Sequence, residues 1–294
     1  MTHARAAHAV ASSSSGIYAI AGTNADGRPV TTVEKYDGRA WHTLSALPPG
    51  LEGGLNAPAA AVLGDSLFVS GGFSSTSNRP VADLWALNLL SLAWTRLASM
   101  PAPRGGHAMA VVRGRLHVVG GGNDRRTLED HVSYDPATNT WQARSPLPRS
   151  KGSPAAVVVQ DRLAIVGGRS GREDLGDVHW YDEPKDQWVP LHPIEPRGTA
   201  GAVVHCGRVF LIGGESQAQQ RVLNRVESIS EERLFSGEPW QAESNLPTPR
   251  AFARSVVFGG KIHVVGGAVA YGASHEAIGT STVESLEFRC NVRH

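Results

Sequence analysis

The sequence predicts an all-β protein, a six-bladed β-propeller with four antiparallel strands in each blade. An 18-residue unit recurs six times without a gap, and each copy ends in a small pair that is usually Gly-Gly. The pairs lie 50, 49, 47, 46 and 53 residues apart, which is about the length of one propeller blade. No stretch of useful length shows the period of an amphipathic helix. The six units are 5–22, 55–72, 104–121, 151–168, 197–214 and 250–267.

Each unit predicts a β-hairpin that forms the two inner strands of a blade. In the third unit, the apolar runs 108–112 and 116–119 flank a polar turn that contains Gly114. Two such runs around a short glycine-containing turn are typical of a hairpin. Their near-continuous apolar character indicates strands that are buried on both faces. A third strand follows after a polar loop, and a fourth carries a tryptophan in five repeats: Trp41, Trp94, Trp141, Trp188 and Trp240.

The repeats predict one domain that spans the whole chain. Four strands alone cannot bury a core, whereas repeats stacked in a ring can, and a ring leaves few open edges. The sixth repeat has only residues 289–294 after its third strand. We therefore expect a sixth blade of three strands, or one whose fourth strand is improvised from the tail. The expected domain is 1–294, with blades at about 4–48, 54–101, 103–148, 150–193, 196–247 and 249–294.

The order of motifs within each repeat resembles the kelch repeat. A Gly pair is followed by a strand such as VEKYD at 33–37 or VHWYD at 178–182, and then by the tryptophan strand. The resemblance covers essentially the whole chain and implies a standalone kelch propeller. The richness in alanine, arginine and glycine suggests a bacterial source.

Composition narrows the classes of function. Lys and Arg number 28 and Asp and Glu 27, a net charge of +1 that gives no signature of nucleic-acid binding. The sequence contains neither an apolar N-terminal stretch nor an 18-residue apolar run, so we expect a cytoplasmic protein with no membrane contact. Cys206 falls in a predicted hairpin turn and Cys290 in the tail, and we therefore expect no disulfide.

Five of the six repeats open with a cation, which suggests a basic mouth at one end of the channel. The direction of the strands places these residues on the same face as the loops that follow the Gly pairs. A ring of cations around a concave mouth would attract anions, and arginine grips carboxylates well. Alternatively, each cation could pair with a third-strand acid (Asp37, Asp135 or Asp182) or with a loop carbonyl. The five opening cations are Arg5, Arg104, Lys151, Arg197 and Arg250.

Positions where one repeat departs from the others are the more specific candidates. Arg254 stands where the other repeats have Ala or Gly, and a buried guanidinium there requires a carboxylate or a bound anion. His8 and His107 stand where the others have Pro or Ala, either as a general acid and base or as ordinary rim residues. Glu215 follows a Gly pair and could supply the acid of the mouth or pair with Arg197.

The loop 268–282 is the longest segment after any Gly pair and carries Tyr271, His275 and Glu276. A long loop at the mouth of a rigid ring suits a lid or a specificity element, although a flexible loop without function is the alternative. We include these three residues among the candidate ligand-binding residues.

Metal and cofactor chemistry is not predicted. Galactose oxidase also has the kelch repeat, and it binds copper through a Tyr–Cys cross-link. In this chain Cys206 is expected on the face opposite the mouth, so a copper site is not predicted. Plant specifier proteins, which are also kelch propellers, have an iron motif that Glu173 and Asp177 match in part. Tyr181 stands where that motif requires a histidine.

Two functions follow from these residues and from the resemblance. The first is a binding module whose basic mouth captures a small anionic ligand or an acidic protein segment, as in the similar kelch adaptors of ubiquitin ligases. The alternative is a cofactor-independent enzyme, similar to the bacterial kelch sialic acid mutarotases, on a small carboxylated substrate such as a sugar acid. In that case His8, His107 or Glu215 would transfer protons while arginines hold the carboxylate.

Overall fold

The computed structural model of the chain describes residues 1–272, 279–288 and 290. Six antiparallel sheets form the blades of a β-propeller around a central channel, which confirms the predicted fold class. The first strands of successive blades pack against one another all the way round, and that of the sixth blade packs against that of the first. The described residues contain no helix that is both long and apolar enough to cross a membrane.

The first three blades occupy the N-terminal half of the chain. Blade 1 consists of β1 (Ala9–Ser13), β2 (Gly16–Ile20), β3 (Thr32–Tyr36) and β4 (Trp41–Ala46). Blade 2 follows with β5 (Leu55–Asn56), β6 (Ala59–Leu63), β7 (Ser66–Ser70), β8 (Phe73–Ser74), β9 (Leu84–Asn88) and β10 (Trp94–Arg96), of which β5 and β8 form a separate ribbon. Blade 3 consists of β11 (Ala108–Val112), β12 (Arg115–Val119), β13 (His131–Asp135) and β14 (Thr140–Arg144).

The last three blades carry additional short elements. Blade 4 contains β15 (Ala155–Val159), β16 (Arg162–Val166), the ribbon β17 (Arg169–Ser170) and β18 (Glu173–Asp174), β19 (Val178–Asp182), a 3-10 turn (Glu183–Lys185) and β20 (Gln187–Leu191). Blade 5 contains β21 (Gly201–His205), β22 (Arg208–Ile212), the ribbon β23 (Glu215–Ser216) and β24 (Arg221–Val222), β25 (Val226–Ser230), α1 (Glu231–Leu234) and β26 (Gln241–Ala242). Blade 6 contains β27 (Arg254–Phe258), β28 (Lys261–Val265) and β29 (Val283–Leu286).

The Gly pairs join each blade to the next. In blade 3, Gly121 has a φ of +93°, and an added Cβ would lie 2.8 Å from the carbonyl oxygen of Gly105. A side chain is therefore excluded by both backbone conformation and space. The N–H of the second residue of each pair donates to the carbonyl of the next repeat's opening residue, at N···O distances of 2.8 to 3.0 Å. These bonds are Gly22–Leu55, Gly72–Arg104, Gly121–Lys151, Gly168–Arg197, Gly214–Arg250 and Gly267–Arg5, and the last one closes the ring.

Tryptophans of the fourth strands connect the outer edges of the blades. The indole Nε1 of Trp94 donates to the carbonyl of Ala46 in blade 1 at 2.9 Å. Trp188 repeats this contact two blades further on, to Ser145 at 2.9 Å. Each aromatic ring thus fills the wide gap between two blades while its N–H remains satisfied.

Blade 6 has three strands within the described residues, in the order β27-β28-β29, as the short sixth repeat predicts. No fourth strand pairs with β29 in this part of the chain. After β29 the chain turns back toward blade 5, where the ring of Phe288 packs on Phe210 at a centroid distance of 4.3 Å.

The expectation that the chain has no disulfide is wrong. Cys206, in the turn between β21 and β22, is bonded to Cys290, and their Cα atoms lie 4.8 Å apart. The tail crosses to the preceding blade, a path that the repeat pattern does not encode. Disulfides persist mainly in oxidising compartments, so this bond does not support the cytoplasmic location, which stays a prediction.

Candidate functional site

The five opening cations lie inside the blades, where four of them bind loop carbonyls, and they do not ring the open mouth. Their exposed fractions are 0 to 1 %. Arg5 donates from Nη1 to the carbonyls of Ala21 at 2.7 Å and Thr32 at 3.0 Å. Arg104, Lys151 and Arg250 likewise donate to the first residue of the Gly pair in their own blade. These cations satisfy carbonyls at the glycine bend and hold the inner strands to the third.

Each buried cation also faces an acidic residue at the third strand. The shared geometry is a guanidinium or ammonium within 4 Å of a carboxylate, which offsets much of the cost of burial. Burial lowers the pKa of Arg5 to about 10, with the charge of Glu34 opposing the shift. The five pairs are Arg5–Glu34 (3.6 Å), Arg104–Asp130 (3.9 Å), Lys151–Asp177 (2.6 Å), Arg197–Glu227 (2.6 Å) and Arg250–Glu284 (3.1 Å).

Asp37, Asp135 and Asp182, the third-strand acids that the sequence suggests as alternative partners, have other roles. Asp37 accepts hydrogen bonds from the backbone N–H groups of residues 39 and 40 in its own turn. Asp135 pairs with Arg115 at 2.9 Å, and Asp182 pairs with Lys185 at 3.0 Å. The partner acids lie at the opposite end of the third strand, beside the Gly pairs.

A chamber of about 110 Å³ occupies the central channel where the first strands begin. Small side chains from all six first strands form its wall, together with His107, Met109 and Pro154. Arg254 is the only arginine or lysine in the lining. Arg254 thus lies in the wall of the central channel, beside its axis, as its place in the repeat predicts.

The Arg254 guanidinium has neither a hydrogen bond nor an ion pair with any residue in the described part of the chain. Burial alone lowers its pKa. The adjacent Ser255 has a buried Oγ with no hydrogen-bond partner among the described residues. The corresponding residues of the other repeats are Val10, Ala60, Met109, Ala156 and Ala202, so the alignment could also have identified this hydroxyl.

His8 and His107 are buried, with exposed fractions of 0 and 2 %. Each imidazole lies against the first glycine of the preceding blade's pair, Gly266 for His8 and Gly71 for His107. His107 Nε2 lies 2.8 Å from Ser70 Oγ. His107 lines the chamber, and His8 is not part of its lining.

Both histidines are neutral at physiological pH. Burial lowers the pKa of His107 to about 3, and the charges of Arg104 and Arg254 add to the effect. Burial also holds the pKa of His8 well below 6.5, with further contributions from Arg5 and Arg254. The shared effect of Arg254 indicates that its charge reaches both imidazoles.

Glu215 pairs with Arg169 of blade 4 at 2.5 Å and not with Arg197. Arg169 also bonds Asp174 at 3.1 Å, so one guanidinium joins two carboxylates at the seam of blades 4 and 5. Burial raises the pKa of Glu215 despite the opposing charge of Arg169. Arg169 thereby covers the backbone of Gly198 beside the mouth.

A wider cleft of about 1070 Å³ lies between the β17–β18 and β23–β24 ribbons on the mouth face. Most residues of its lining have polar side chains, among them Arg172, Glu195 and Gln217. Tyr271 completes the wall and is 39 % exposed. His275 and Glu276, the other two candidates of this loop, lie outside the described residues.

Several arginines of the post-glycine loops remain exposed on the mouth face. Arg126 pairs with Glu129 at 2.7 Å. The others have no ion pair with a described residue: Arg28, Arg79, Arg125, Arg172 and Arg221. The exposed cations of the mouth face therefore include these loop arginines and not the opening cations.

The described residues contain one cluster of three potential metal ligands: His205, Cys206 and Cys290. Its two sulfur atoms are bonded to each other. The partial iron motif does not assemble, because Glu173 pairs with Arg149 while Asp177 pairs with Lys151.

Comparisons with known proteins agree with the geometry of the repeats. Residues 1–154 match the family model described as the KLHDC2/KLHL20/DRC7 Kelch-repeats domain, and residues 152–195 match the Kelch motif. The chain belongs to the kelch-repeat family. A solved structure described as that of YjhT shares the fold of this kelch chain, with a TM-score of 0.79 and 17 % identity over 97 % of this chain and 95 % of that one.

The curated relatives are longer kelch proteins. Kelch-like protein 35 of Mus musculus is 28 % identical over 88 % of this chain and 43 % of its own length. Kelch repeat and BTB domain-containing protein 13 of Homo sapiens is 34 % identical over 33 % of this chain and 21 % of its own length. The chain thus spans less than half the length of these relatives.

Proposed function

We propose that this kelch propeller binds an anionic ligand at the mouth of its channel, with the acid group of the ligand in the chamber beside Arg254. The observation that carries the proposal is a guanidinium in the wall of the channel chamber with no partner among the described residues. Arg254 is half-buried in the channel wall, so its charge is partly desolvated, and a bound anion would give it a direct ion pair.

The dimensions of the chamber restrict what enters it. A volume of about 110 Å³ admits a carboxylate or another group of a few atoms. The Oγ of Ser255 supplies a second hydrogen-bonding group beside the guanidinium. The rest of a larger ligand would remain in the wider mouth, where Tyr271 offers an exposed aromatic ring.

Long-range attraction would come from the exposed loop arginines. Cations around a concave opening raise the local concentration of anions, and salt screens this effect. The five opening cations are left out of the proposed ligand set, because each is buried against an acid of its own blade. Arg254 therefore supplies the specific contact, and the rim supplies attraction.

A free small carboxylate and an acidic side chain of a protein segment share the same chemistry at Arg254. Thermal unfolding of wild type and Arg254→Met, with acetate, lactate, phosphate and an Asp/Glu-rich peptide at constant ionic strength, distinguishes the two sources. We expect at least one anion to raise the Tm of wild type and not that of the variant. A ligand at 100 times its Kd contributes about 2.7 kcal/mol to stability.

Arg28→Met is the matched control, because Arg28 is exposed on the rim and has no ion pair among the described residues. It should retain the ligand-induced shift and lose part of the salt dependence. Without any ligand, Arg254→Met should unfold at a slightly higher temperature than wild type, since it removes an unpaired and partly desolvated charge. An equal anion response in wild type and Arg254→Met would refute the proposal.

The enzyme alternative has one supporting observation, the location of His107 in the lining of the same chamber. A pKa of about 3 makes this imidazole a weak proton acceptor at neutral pH. His8 lies outside the lining, and Glu215 is engaged by Arg169. We therefore favour binding over proton-transfer catalysis. Catalysis would be supported instead if wild type accelerated the exchange between the anomers of a carboxylated sugar, measured by NMR, and His107→Ala did not.

A further inference from the structure

The seam between blades 5 and 6 lacks the tryptophan hydrogen bond that bridges the outer edges of three other seams. Blade 6 has no fourth strand within the described residues, and therefore no tryptophan that reaches across to blade 5. Elsewhere, contacts such as Trp188 to Ser145 bridge this position. The chain after β29 takes a different path and returns to blade 5.

Phe288 replaces the missing aromatic contact. Its ring packs on Phe210 of β22 at 4.3 Å and joins the cluster formed by the two blades. That cluster contains Val203 of blade 5 and Ile262 of blade 6, which are both buried. Phe288 thus covers apolar surface that would otherwise open to water at this seam.

The disulfide fixes this arrangement two residues further along the chain. Cys290 is bonded to Cys206 at the tip of the β21–β22 hairpin, across a sequence separation of 84 residues. Cys206 adopts a left-handed φ of +51°, which is set by the hairpin turn. The sulfur of Cys206 also lies 3.7 Å from the carbonyl oxygen of Phe288. A rigid turn on blade 5 therefore anchors the segment that seals the seam.

We propose that the Cys206–Cys290 disulfide is a redox-sensitive latch that holds the tail across the seam of blades 5 and 6. Cys290 is exposed and Cys206 is half-buried, so the bond is accessible to a small thiol. The imidazole of His205 lies within 4.8 Å of both sulfur atoms.

Opening requires a dithiol reductant. One of its thiolates attacks Cys290 Sγ, the Cys206–Cys290 bond breaks, and Cys206 leaves as a thiolate that takes a proton from water. The second thiol of the reductant then attacks the mixed disulfide and releases Cys290 as a thiol. The protein disulfide gains two electrons and two protons, and the reductant becomes a cyclic disulfide.

The test compares thermal unfolding of wild type with and without dithiothreitol, while alkylation and mass spectrometry count the thiols. We expect reduction to lower the Tm of wild type by roughly 5 to 10 °C, from the usual contribution of a disulfide that closes a long loop. Cys290→Ser should have the Tm of reduced wild type both with and without dithiothreitol. Hydrogen exchange of β27 to β29 should accelerate on reduction, while β11 to β14 stay unchanged.

Phe288→Ala provides a second variant that keeps the disulfide. It should lower the Tm and leave the remaining response to dithiothreitol intact. Free thiols in protein prepared without reductant would overturn the proposal, as would complete reduction with no change in Tm or exchange. These measurements contain no anionic ligand, so they stand or fall separately from the function proposed for the mouth.

Discussion

At the scale of single residues, the opening cations differ in how deeply their partners are buried. Glu34, the partner of Arg5, has a side-chain exposure of 0 %, whereas Asp130, the partner of Arg104, is 40 % exposed. A carboxylate that reaches water can be solvated when its cation is removed, and a fully buried one cannot. Removing the opening cation should therefore change the free energy of unfolding by different amounts in different blades.

Leu55 shows that a blade can open without a cation. In blade 2, Asp83 pairs with the exposed Arg96 at 2.5 Å instead. We expect Arg5→Leu to cost about 3 to 5 kcal/mol of unfolding free energy, since the buried Glu34 would lose its guanidinium partner and keep only Thr2 and His3 at its Oε1. Arg104→Leu should cost about 1 to 3 kcal/mol, mainly for the unsatisfied carbonyl at its glycine bend. Urea unfolding measures both, and equal costs would contradict this distinction.

A second residue-scale prediction concerns a buried histidine pair at the seam of blades 3 and 4. His117 Nδ1 lies 2.9 Å from His131 Nε2, and the ring of Tyr181 packs edge-on against His131 at 4.5 Å. Burial lowers the pKa of His117 to about 4, with Arg144 and Arg115 adding to the effect. Burial and the charge of His117 lower the pKa of His131 to about 3.

The unfolded chain therefore binds more protons than the folded chain below pH 6.5. The stability contributed by the neutral pair is fully present above that pH and is lost as the pH falls toward 4 and 3. Each histidine adds up to about 1.4 kcal/mol per pH unit to the decline. Chemical unfolding of His117→Leu/His131→Leu between pH 7 and 4 should show a shallower slope than wild type, and an unchanged slope would exclude the pair as its source.

At the scale of elements, the repeat pattern predicts inner hairpins well because every copy obeys the same packing rule. Blades meet at the axis, so small residues open the first strands, and the Gly pairs bend the chain where a Cβ would meet the neighbouring backbone. The partners of the opening cations could not be predicted in this way. Their acids lie 26 to 34 residues downstream. The position of the acid relative to the third strand also differs between blades, since Asp130 precedes β13 whereas Glu34 lies within β3.

Blade 3 offers a matched pair of glycines for testing the bend. Gly121 has a φ of +93°, and an added Cβ would lie 2.8 Å from a backbone carbonyl oxygen. Gly114 has a φ of +77° in the outer turn and nothing within 4 Å of an added Cβ. Gly114→Ala should cost about 1 to 2 kcal/mol for the left-handed conformation alone, and Gly121→Ala should cost more because the clash adds to it. Thermal unfolding ranks the two, and the opposite order would contradict this account.

At the scale of the whole molecule, the sequence predicts the ring because every repeat contributes to it, and predicts the site only where one repeat departs from the rest. Arg254 was identifiable because five small residues surround it in the alignment. The disulfide was not, because the path of the tail to blade 5 occurs once and has no periodic signal. Arg169 was also missed as the partner of Glu215, since that pair joins loops of two different blades.

The ring is not equally secured at its six seams. A second set of backbone bonds runs around the channel mouth between residues that open the first strands. Four seams have such a bond, and the described residues show none from Thr199 to Phe252 or from Phe252 to Ala7, the two seams of blade 6. The four bonds are Ala57–Ala7 (2.6 Å), Gly106–Ala57 (2.8 Å), Ser153–Gly106 (2.7 Å) and Thr199–Ser153 (3.1 Å). Since the described residues also give blade 6 no outer strand, it has fewer contacts of these two kinds than any other blade.

Blade 6 should therefore open before the rest of the propeller. The N–H groups of Gly214 and Gly267 bond across its two seams, at 2.8 Å each, and Gly72 and Gly121 make the same bond at seams with both sets of contacts. We expect Gly214 and Gly267 to exchange with deuterium through a partial opening, and Gly72 and Gly121 only on global unfolding. Native-state exchange followed by NMR at increasing urea separates the two classes, because partial opening depends weakly on denaturant. Identical protection at all four amides would mean that the ring opens only as a whole, with blade 6 as firmly held as the others.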